Sequence, residues 1–407
     1  MSLLDKASLI LTPNAYNVNK LYSIIPSNGD GDMTFARGTN ATRINSSGVI
    51  ETIGTTIPRL NYDTIGGCPS ILLEPQRTNL LLNSVWAGGT VVSDKALPTS
   101  WVQSTNTGTH QSPITSIKNN NVTAYRFVTS NSRQEILQNI SLLLNSITTF
   151  SCYVESVTTA IAVNQLLRFS AVTGTGTYIF LKNNTPILGS ENITAGDKYS
   201  LQFTCTLADS FQVRIGVGVG GNTTGDIIIS MPQLESGSYV TSYIPTTTST
   251  VTRNADLITR NNIYTNGFIT SAGGTWFIEL NNNFSLTRDD GTLEALSLQT
   301  SSTSTNNALC LRAFPGGGRL NILKRIETLE TFLYTTLTDT IKVAFKWNGA
   351  TADVYVNGTK IISATAFTTT NMDYLISRGL DVPKYIKSTM LFPTPLTDTE
   401  CISLTTL

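Results

Sequence analysis

The stretch Ile341-Lys-Val-Ala-Phe-Lys-Trp-Asn-Gly-Ala-Thr-Ala-Asp-Val-Tyr-Val-Asn-Gly-Thr-Lys-Ile-Ile-Ser363 decides the fold class of this chain. Its β-branched and aromatic residues, which favour strands, come in three short runs. The turns between the runs contain Asn348-Gly349 and Asn357-Gly358. The second is a two-residue Asn-Gly loop, the strongest short-range signal for a β-hairpin. The stretch therefore predicts a meander of three antiparallel strands.

Further strand patterns recur through residues 80–245, and several of them alternate apolar and polar side chains. Such alternation is typical of strands that bury one face. Because the patterns follow one another at a spacing of about ten residues, they predict a β-sandwich. The clearest are Ser151-Cys-Tyr-Val-Glu-Ser-Val157, Lys198-Tyr-Ser-Leu-Gln-Phe-Thr-Cys-Thr-Leu207, Phe211-Gln-Val-Arg-Ile-Gly-Val217 and Asp226-Ile-Ile-Ile-Ser-Met231.

Helical signals are confined to two segments. In residues 134–147 the apolar side chains fit one face of a helix, but the surrounding strand patterns favour a strand, which we predict. Near the end of the chain, Thr397 and Glu400 have the spacing of a capping box, and Leu396 and Cys401 have that of the accompanying hydrophobic staple. One short helix is predicted there, over residues 398–404.

Residues 33–79 form a stretch that is too small to fold alone. It alternates short apolar runs with Gly, Pro and Asn, so a core of useful size cannot close within it. Another copy of the chain, the domains that follow, or a larger assembly must complete it. The stretch also carries four arginines, which we predict to form inter-chain contacts with acids such as Glu51 and Glu74 or with backbone carbonyls. They are Arg37, Arg43, Arg59 and Arg77.

The composition describes a neutral, hydroxyl-rich surface. Of the 407 residues 40% are apolar but only 13% are charged, where about 25% is usual in soluble proteins. The 27 basic and 27 acidic residues give a net charge of +0. The long-range field that attracts nucleic acids or anionic lipids is therefore missing, and no nucleic-acid partner is expected.

The sequence predicts neither membrane insertion nor export by a signal peptide. No run approaches the ~20 apolar residues of a membrane helix, and the residues after Met1 lack the order of a signal peptide. The five cysteines are scattered and without metal-ligand spacing, so neither a disulfide framework nor a zinc site is predicted.

Catalytic patterns are weak, and we predict that the protein is not an enzyme. The one histidine, His110, lies in a polar setting without a nucleophile-elbow pattern. Asp289, Asp290 and Glu294 are the best local candidates for the paired carboxylates of a glycosidase. Since Asp-Gly more often makes a turn, no catalytic residue is assigned, and a polysaccharide depolymerase using Asp290 and Glu294 is kept as an alternative.

Two glycine-containing segments imitate ligand-binding loops without meeting their requirements. Residues 216–221 satisfy GxGxxG, but they lead into another strand instead of the helix that a phosphate needs. Asn28, Asp30 and Asp32 imitate the start of a calcium loop, yet the twelfth position is Thr39 where a glutamate is required. We predict a tight turn at residues 28–32, and neither a metal nor a cofactor.

Aromatic side chains in strand or loop settings are candidates for stacking on sugar rings. Core packing is the competing explanation for each ring, because Trp and Tyr also anchor sandwich cores. The carbohydrate-binding candidates are Trp86, Trp101, Tyr125 and Tyr178.

Three segments of the chain carry a family resemblance. They are Phe35-Ala-Arg-Gly-Thr-Asn-Ala-Thr-Arg-Ile-Asn-Ser-Ser-Gly-Val-Ile-Glu51 with Pro58-Arg-Leu-Asn-Tyr62, Leu72-Leu-Glu-Pro-Gln-Arg-Thr-Asn-Leu-Leu81, and Met231-Pro-Gln-Leu-Glu-Ser-Gly-Ser-Tyr-Val-Thr-Ser-Tyr-Ile-Pro245. These segments resemble tailed-bacteriophage virion proteins, especially fibre and spike proteins of the crAss-like phage type. The resemblance implies a tail or head appendage that assembles as a homotrimer with other virion proteins. It also implies that the protein, made in the bacterial host cytoplasm, resides in the virion.

Two further resemblances concern the sandwiches. The middle of the chain looks like a carbohydrate-binding-module jelly roll ending at Gln233-Leu-Glu235. Residues 270–407 are similar to a concanavalin A-like jelly roll of the laminin-G type, through Gly274-Thr-Trp-Phe-Ile-Glu279, Lys342-Val-Ala-Phe345, the Val354-Tyr-Val-Asn-Gly358 hairpin and the closing helix.

The expected organisation is therefore an all-β chain of three parts. Residues 1–80 are expected to be a virion-attachment and oligomerisation segment, followed by antiparallel β-sandwich (jelly-roll) domains over residues 81–250 and 251–407. The uncharged Thr-rich run at residues 246–252 marks the boundary between the sandwiches. The sandwiches are expected to bind host-surface glycans, and a purely structural capsid or tail decoration protein remains an alternative.

Overall fold

The structure is a computed structural model, and it describes residues 2–63, 67–88, 91–92, 95–104, 109–110, 114–171, 176–207, 209–281, 293–300, 308–314, 319–326, 328–334, 340–366, 372–378 and 383–407. Within these residues the regular structure is almost entirely β, which confirms the predicted fold class. Strands β1 to β8 are Leu9–Leu11, Tyr16–Asn17, Lys20–Leu21, Met33–Ala36, Ala41–Ile44, Ile50–Ile53, Arg59–Asn61 and Ser70–Leu73.

The remaining elements follow in chain order. Strands β9 to β24 are Arg77–Asn79, Val91–Val92, Lys95–Ala96, Val102–Gln103, Thr109–His110, Ile114–Thr115, Thr123–Ser132, Gln134–Leu142, Ile147–Thr159, Leu167–Ala171, Gly176–Lys182, Thr185–Ile187, Lys198–Cys205, Asp209–Val217, Thr223–Ser236 and Val251–Arg253. Strands β25 to β35 are Leu257–Asn261, Gly274–Asn281, Leu293–Gln299, Ala308–Phe314, Arg319–Ile326, Thr328–Tyr334, Thr340–Trp347, Thr351–Val356, Thr359–Ala366, Tyr374–Arg378 and Lys384–Phe392. The helix α1 is Asp398–Thr405, and short 3-10 turns lie at Leu4–Lys6 and Val163–Gln165.

The chain forms two compact units. Unit 1 comprises Met1–Gly48, Thr52–Gln76 and Asn254–Leu407, and unit 2 comprises Val49–Glu51 and Arg77–Arg253. The boundaries after residues 76 and 253 lie close to those expected after residues 80 and 250. The expected separate segment at residues 1–80 is corrected, because most of it is part of the same unit as the C-terminal residues.

Unit 1 is a sandwich whose two sheets both contain N-terminal strands. One sheet has the order β33-β32-β31-β26-β35-β8-β7, with β1 also paired to β35, and the other has the order β2-β3-β4-β25-β34-β27-β28-β29-β30. Its core combines side chains of the N-terminal strands, such as Leu11 and Phe35, with Trp276 and Phe345 of the later strands. The surface that completes residues 33–79 is therefore supplied largely by the C-terminal part of the same chain.

The two strongest local predictions are confirmed in unit 1. Strands β31, β32 and β33 form the antiparallel meander, with Asn357 and Gly358 both at positive φ, as a tight hairpin turn requires. The helix α1 begins after Thr397, whose side chain accepts from the backbone N–H of Glu400 in the predicted capping box. The helix packs on the outer face of the meander sheet through Leu396 and Cys401.

Unit 2 is a second sandwich, with a four-stranded sheet β12-β16-β22-β18 and a larger sheet β13-β15-β23-β17-β21-β19-β20 in which β14 also pairs with β15. Its core contains residues of both sheets, including Ile136 and Val213 of the smaller sheet and Phe127 and Phe150 of the larger. Residues 134–142 pair with β22 over their whole length, so the strand predicted for residues 134–147 is confirmed up to Leu142, after which a turn leads into β17 at Ile147.

Candidate functional site

The outer face of the four-stranded sheet in unit 2 is the best candidate for a binding surface. In β22 the side chains of Val213 and Ile215 are buried in the core, while Gln212 and Arg214 alternate with them and lie on the opposite face. The register places Arg168 of β18 directly opposite Arg214, and Leu137 of β16 on its other side. One row of side chains thus crosses the sheet and ends at Val102 of β12.

The charges in this row are held in defined positions. Arg214 donates from Nη1 to Oε1 of Glu135 over 2.7 Å and from Nη2 to Oε1 of Gln212 over 2.6 Å. Arg168 is exposed and donates from Nη1 to the carbonyl oxygen of Val219 over 2.9 Å. Among the described residues Arg214 pairs with Glu135, whereas Arg168 makes no ion pair.

A second row, two residues further along each strand, carries neutral polar side chains. Ser170, Gln212 and Asn139 lie opposite one another on β18, β22 and β16. Asn139 is exposed, and the other two are half-buried. Because Oε1 of Gln212 accepts from Arg214, its amide nitrogen remains as the donor that can meet a ligand.

An apolar margin borders the charged row. Val102 is 58% exposed, and Leu137, which lies between it and Arg214, is 6% exposed, so Val102 supplies most of the accessible apolar surface. The four strands of this face therefore carry an apolar side chain, neighbouring amide and hydroxyl groups, and two guanidinium groups. Such a set can hold a ligand by contact and hydrogen bonds, and within the described residues no three His, Cys, Asp or Glu side chains are grouped to bind a metal.

The structure places three of the four predicted carbohydrate-binding aromatics in the core, which corrects that expectation for them. Trp86, Trp101 and Tyr125 are 0%, 4% and 1% exposed. Trp86 contacts Trp101 and Tyr125 edge to face, with ring centroids 5.8 Å and 5.2 Å apart. Burial also raises the pKa of Tyr125 to about 12. A sugar ring cannot reach these faces.

Tyr178 is the predicted aromatic that solvent reaches. It lies on β19 of the larger sheet, is 63% exposed, and contacts Phe180 edge to face. It is not part of the four-stranded face, so the structure does not bring it together with Arg168 or Arg214. A role for Tyr178 in glycan binding stays a prediction.

Two of the four arginines predicted to make inter-chain contacts are enclosed within unit 1. Arg37 donates from Nη1 to Oδ1 of Asp256 over 3.0 Å, and Arg59 donates to Oδ2 of the same carboxylate. Arg59 also donates to Oε2 of Glu74 over 2.5 Å. Since the side chains of Arg37 and Arg59 are 0% exposed, they cannot reach another chain, and the predicted pairing with Glu74 occurs within the chain.

The electrostatics of this cluster are balanced. Burial alone would lower the pKa of Arg59, but the charges and hydrogen bonds of Asp256 and Glu74 outweigh it and hold the pKa above the usual range. The backbone N–H of Glu74 also donates to Oδ2 of Asp256 over 2.8 Å. Two cations and two carboxylates therefore neutralise one another in the interior.

The other two arginines are partly buried and stack on tyrosines. The guanidinium carbon of Arg43 lies 5.3 Å from the ring centroid of Tyr16 in unit 1. That of Arg77 lies 4.8 Å from the ring centroid of Tyr239 in unit 2, and Arg77 donates to the Tyr239 hydroxyl. Their predicted inter-chain role stays a prediction.

The candidate catalytic residues lie outside the part of the chain that the structure describes, whereas Asp32 of the calcium-loop-like segment is hydrogen-bonded within a turn. Asp289 and Asp290 lie outside the described residues, as do the side chains of Glu294 and His110. The carboxylate of Asp32 accepts from the backbone N–H of Ser23 over 2.9 Å within a turn region, as predicted for residues 28–32.

Sequence reasoning missed Arg168, Arg214 and the polar row beside them. The alternation in Phe211-Gln-Val-Arg-Ile identifies which side chains share a face, and it was available in the sequence. The pairing of β18 with β22, which puts the two arginines opposite each other, depends on a register that a single strand does not reveal. In the described residues the structure has no helix long and apolar enough to span a membrane.

Comparisons with known proteins find weak similarity among solved structures. No family model and no curated protein matches the chain. The IT-sialidase CBM40 of Ruminococcus gnavus bound to α2,3-sialyllactose is 18% identical, with a TM-score of 0.27 over 33% of this chain and 83% of that chain. A Trypanosoma rangeli sialidase is 13% identical, with a TM-score of 0.26 over 33% of this chain and 22% of that chain. The match therefore spans less than a quarter of the sialidase.

Proposed function

We propose that unit 2 is a glycan-binding sandwich and that the chain carries it as part of a tailed-phage fibre or spike. The glycan-binding part of the proposal rests on one observation, the row of polar side chains on the outer face of the four-stranded sheet, where Asn139 is exposed and Ser170 and Gln212 are half-buried. Ser170, Gln212 and Asn139 form a row of hydroxyl and amide groups there, next to the apolar margin of Val102 and Leu137.

Sugars require this combination of groups. Their hydroxyls exchange hydrogen bonds with amides and hydroxyls, while the C–H faces of the ring pack on apolar side chains. A row of side chains on adjacent strands advances by about 4.8 Å per strand, and the next row lies about 7 Å further along. One or two sugar rings match these dimensions.

The direct test is binding of the purified chain to a glycan array, followed by titration of the glycans that bind. The double variant Asn139→Ala/Gln212→Ala is expected to weaken binding about tenfold, because each lost hydrogen bond contributes about 0.5–1.5 kcal/mol. The matched control is Asn121→Ala/Asn192→Ala, which changes two exposed asparagines of the same unit. Absence of any glycan ligand, or equal losses in both double variants, would remove the proposal for this face.

The virion part of the proposal is supported by the three segments that resemble phage virion proteins, residues 35–62, 72–81 and 231–245. We place the protein in the virion, as a homotrimer in contact with other virion proteins. Because most of residues 1–80 is folded into unit 1, docking on the particle uses a folded surface instead of a separate N-terminal tail.

Two measurements check the virion role. Light scattering of the purified chain at micromolar concentration is expected to give a mass of three chains, and antibody labelling of purified particles is expected to locate the protein on an appendage of the tail or head. A monomer that is also missing from the particles would exclude the role. Absence from the particles alone would exclude the virion while leaving the glycan-binding proposal standing.

A further inference from the structure

We infer that the four-stranded face selects acidic glycans, whose carboxylate binds between Arg168 and Arg214. This inference rests on the proposed function and names the ligand class of the same site. It is carried by the direct cross-strand pairing of two arginines on the outer face, where Arg168 is exposed and the side chain of Arg214 is 21% exposed.

The pairing of the arginines is unfavourable without a ligand. Side chains directly opposite in an antiparallel pair are close neighbours, and like charges at such positions destabilise a sheet. Among the described residues Glu135 is the anionic partner of Arg214, with its Oε1 2.7 Å from Nη1 of Arg214, and Arg168 has no such partner. The chain as a whole has equal numbers of acidic and basic residues, so this local excess of positive charge is a specific feature of the face.

The guanidinium groups are also oriented. Glu135 and Gln212 accept from the two terminal nitrogens of Arg214, and the carbonyl oxygen of Val219 accepts from one nitrogen of Arg168. An arginine whose position is already fixed loses less side-chain entropy when a ligand binds. Arginine matches a planar carboxylate in two parallel hydrogen bonds, which a hydroxyl group cannot form.

The neighbouring polar row completes an acidic sugar site. When a carboxylate lies at the Arg168–Arg214 pair, the ring to which it is attached extends over Ser170, Gln212 and Asn139, about 7 Å along the strands. The same ring without its carboxylate retains the hydrogen bonds of that row. The acid group therefore adds to the affinity of a glycan that the face already holds.

The test compares each acidic glycan with its own carboxyl-reduced form, using hyaluronan, polygalacturonate and sialyllactose as probes in titrations with the full chain. At least one acidic form is expected to bind at least tenfold more tightly than its reduced partner. The variant Arg168→Gln is expected to abolish this difference, because it removes a guanidinium group that pairs with the carboxylate. Arg168→Lys, which keeps the charge but not the planar fork, is expected to retain part of it.

The matched control is Arg126→Gln, on the larger sheet of the same unit, where Arg126 pairs with Asp226. It is expected to leave the preference for the acid form unchanged. Equal affinity for acidic and reduced forms, a preference that survives Arg168→Gln, or exclusive binding of dextran sulfate would overturn the inference while the glycan-binding proposal stands. If neither the acidic nor the reduced form of any probe binds and no glycan on the array binds, the inference and the glycan-binding proposal are both overturned.

Discussion

Replacing Asp256 with asparagine is expected to destabilise unit 1 by about 3–5 kcal/mol, the usual cost of breaking a buried ion pair from one side. Asp256 is 1% exposed and accepts hydrogen bonds from Arg37 and Arg59 as well as from the backbone N–H of Glu74. The variant leaves two buried cations with one carboxylate. Asparagine has nearly the same shape, so lost charge rather than lost volume determines the effect.

Hydrogen exchange in increasing urea measures this change, because it reports on the two units separately within the intact chain. Amides of β7, β8 and β25 are expected to lose protection at lower urea concentration in the variant, whereas those of β16 and β22 in unit 2 are expected to be unchanged. The double variant Arg37→Met/Asp256→Asn removes one cation as well. It is expected to recover part of the loss, since Arg59 and Glu74 remain as a balanced pair.

The matched control is Asp398→Asn, also in unit 1. The Asp398 side chain is 53% exposed and pairs with Lys346 and Lys360. Exposed ion pairs contribute about 0–1 kcal/mol, so a small effect is expected. If Asp256→Asn and Asp398→Asn cost the same to within about 1 kcal/mol, the buried cluster does not stabilise unit 1 as described.

Removing residues 1–76 is expected to prevent unit 1 from folding, the largest effect predicted for this protein. The deletion takes away β1, β7 and β8 from one sheet and β2, β3 and β4 from the other. It also removes eight buried apolar side chains of the unit 1 core, Leu9, Leu11, Leu21, Met33, Phe35, Leu60, Ile71 and Leu73. Truncating one such side chain costs about 2–5 kcal/mol, and a whole domain is stable by only about 5–15 kcal/mol.

The measurement is hydrogen exchange of the truncated chain, compared with that of the full chain. Amides of β26, β31 and β35 are expected to exchange freely, while those of β16, β17 and β22 keep their protection because unit 2 retains both of its sheets. A matched control is deletion of residues 2–7, which precede β1 and are expected to be largely dispensable. Normal protection of β26 and β35 after the long deletion would show that residues 251–407 fold as an independent domain, as the sequence analysis expected.

Local sequence patterns predicted individual elements well. The Asn357-Gly358 turn defines a hairpin because both positions adopt positive φ at little cost, and the capping box at Thr397 and Glu400 is satisfied by contacts three residues apart. Alternation in β22 assigned a strand whose core face is the expected apolar one, and the strand patterns around residues 134–142 assigned that segment. These features depend on near neighbours in the chain.

The candidate site was predicted poorly, because its residues meet only through pairing between strands. Arg168 and Arg214 are far apart in the sequence. Only the register of β18 with β22 places them directly opposite each other on neighbouring strands. Residue type and a strand or loop setting make the aromatics candidates for glycan binding, but they fit core packing equally well. Burial, which decides between a core ring and a binding ring, is a property of the assembled sandwich.

By itself the sequence determined the all-β class, the meander, the closing helix and the neutral composition. These follow from local conformational preference and from composition. Only the tertiary structure decided that most of residues 1–80 completes the C-terminal sandwich and that Arg37 and Arg59 neutralise Asp256 and Glu74 in its interior. A buried charge requires a partner of opposite charge. Because Arg37 and Asp256 are 219 residues apart in the sequence, no local sequence pattern predicts that they pair.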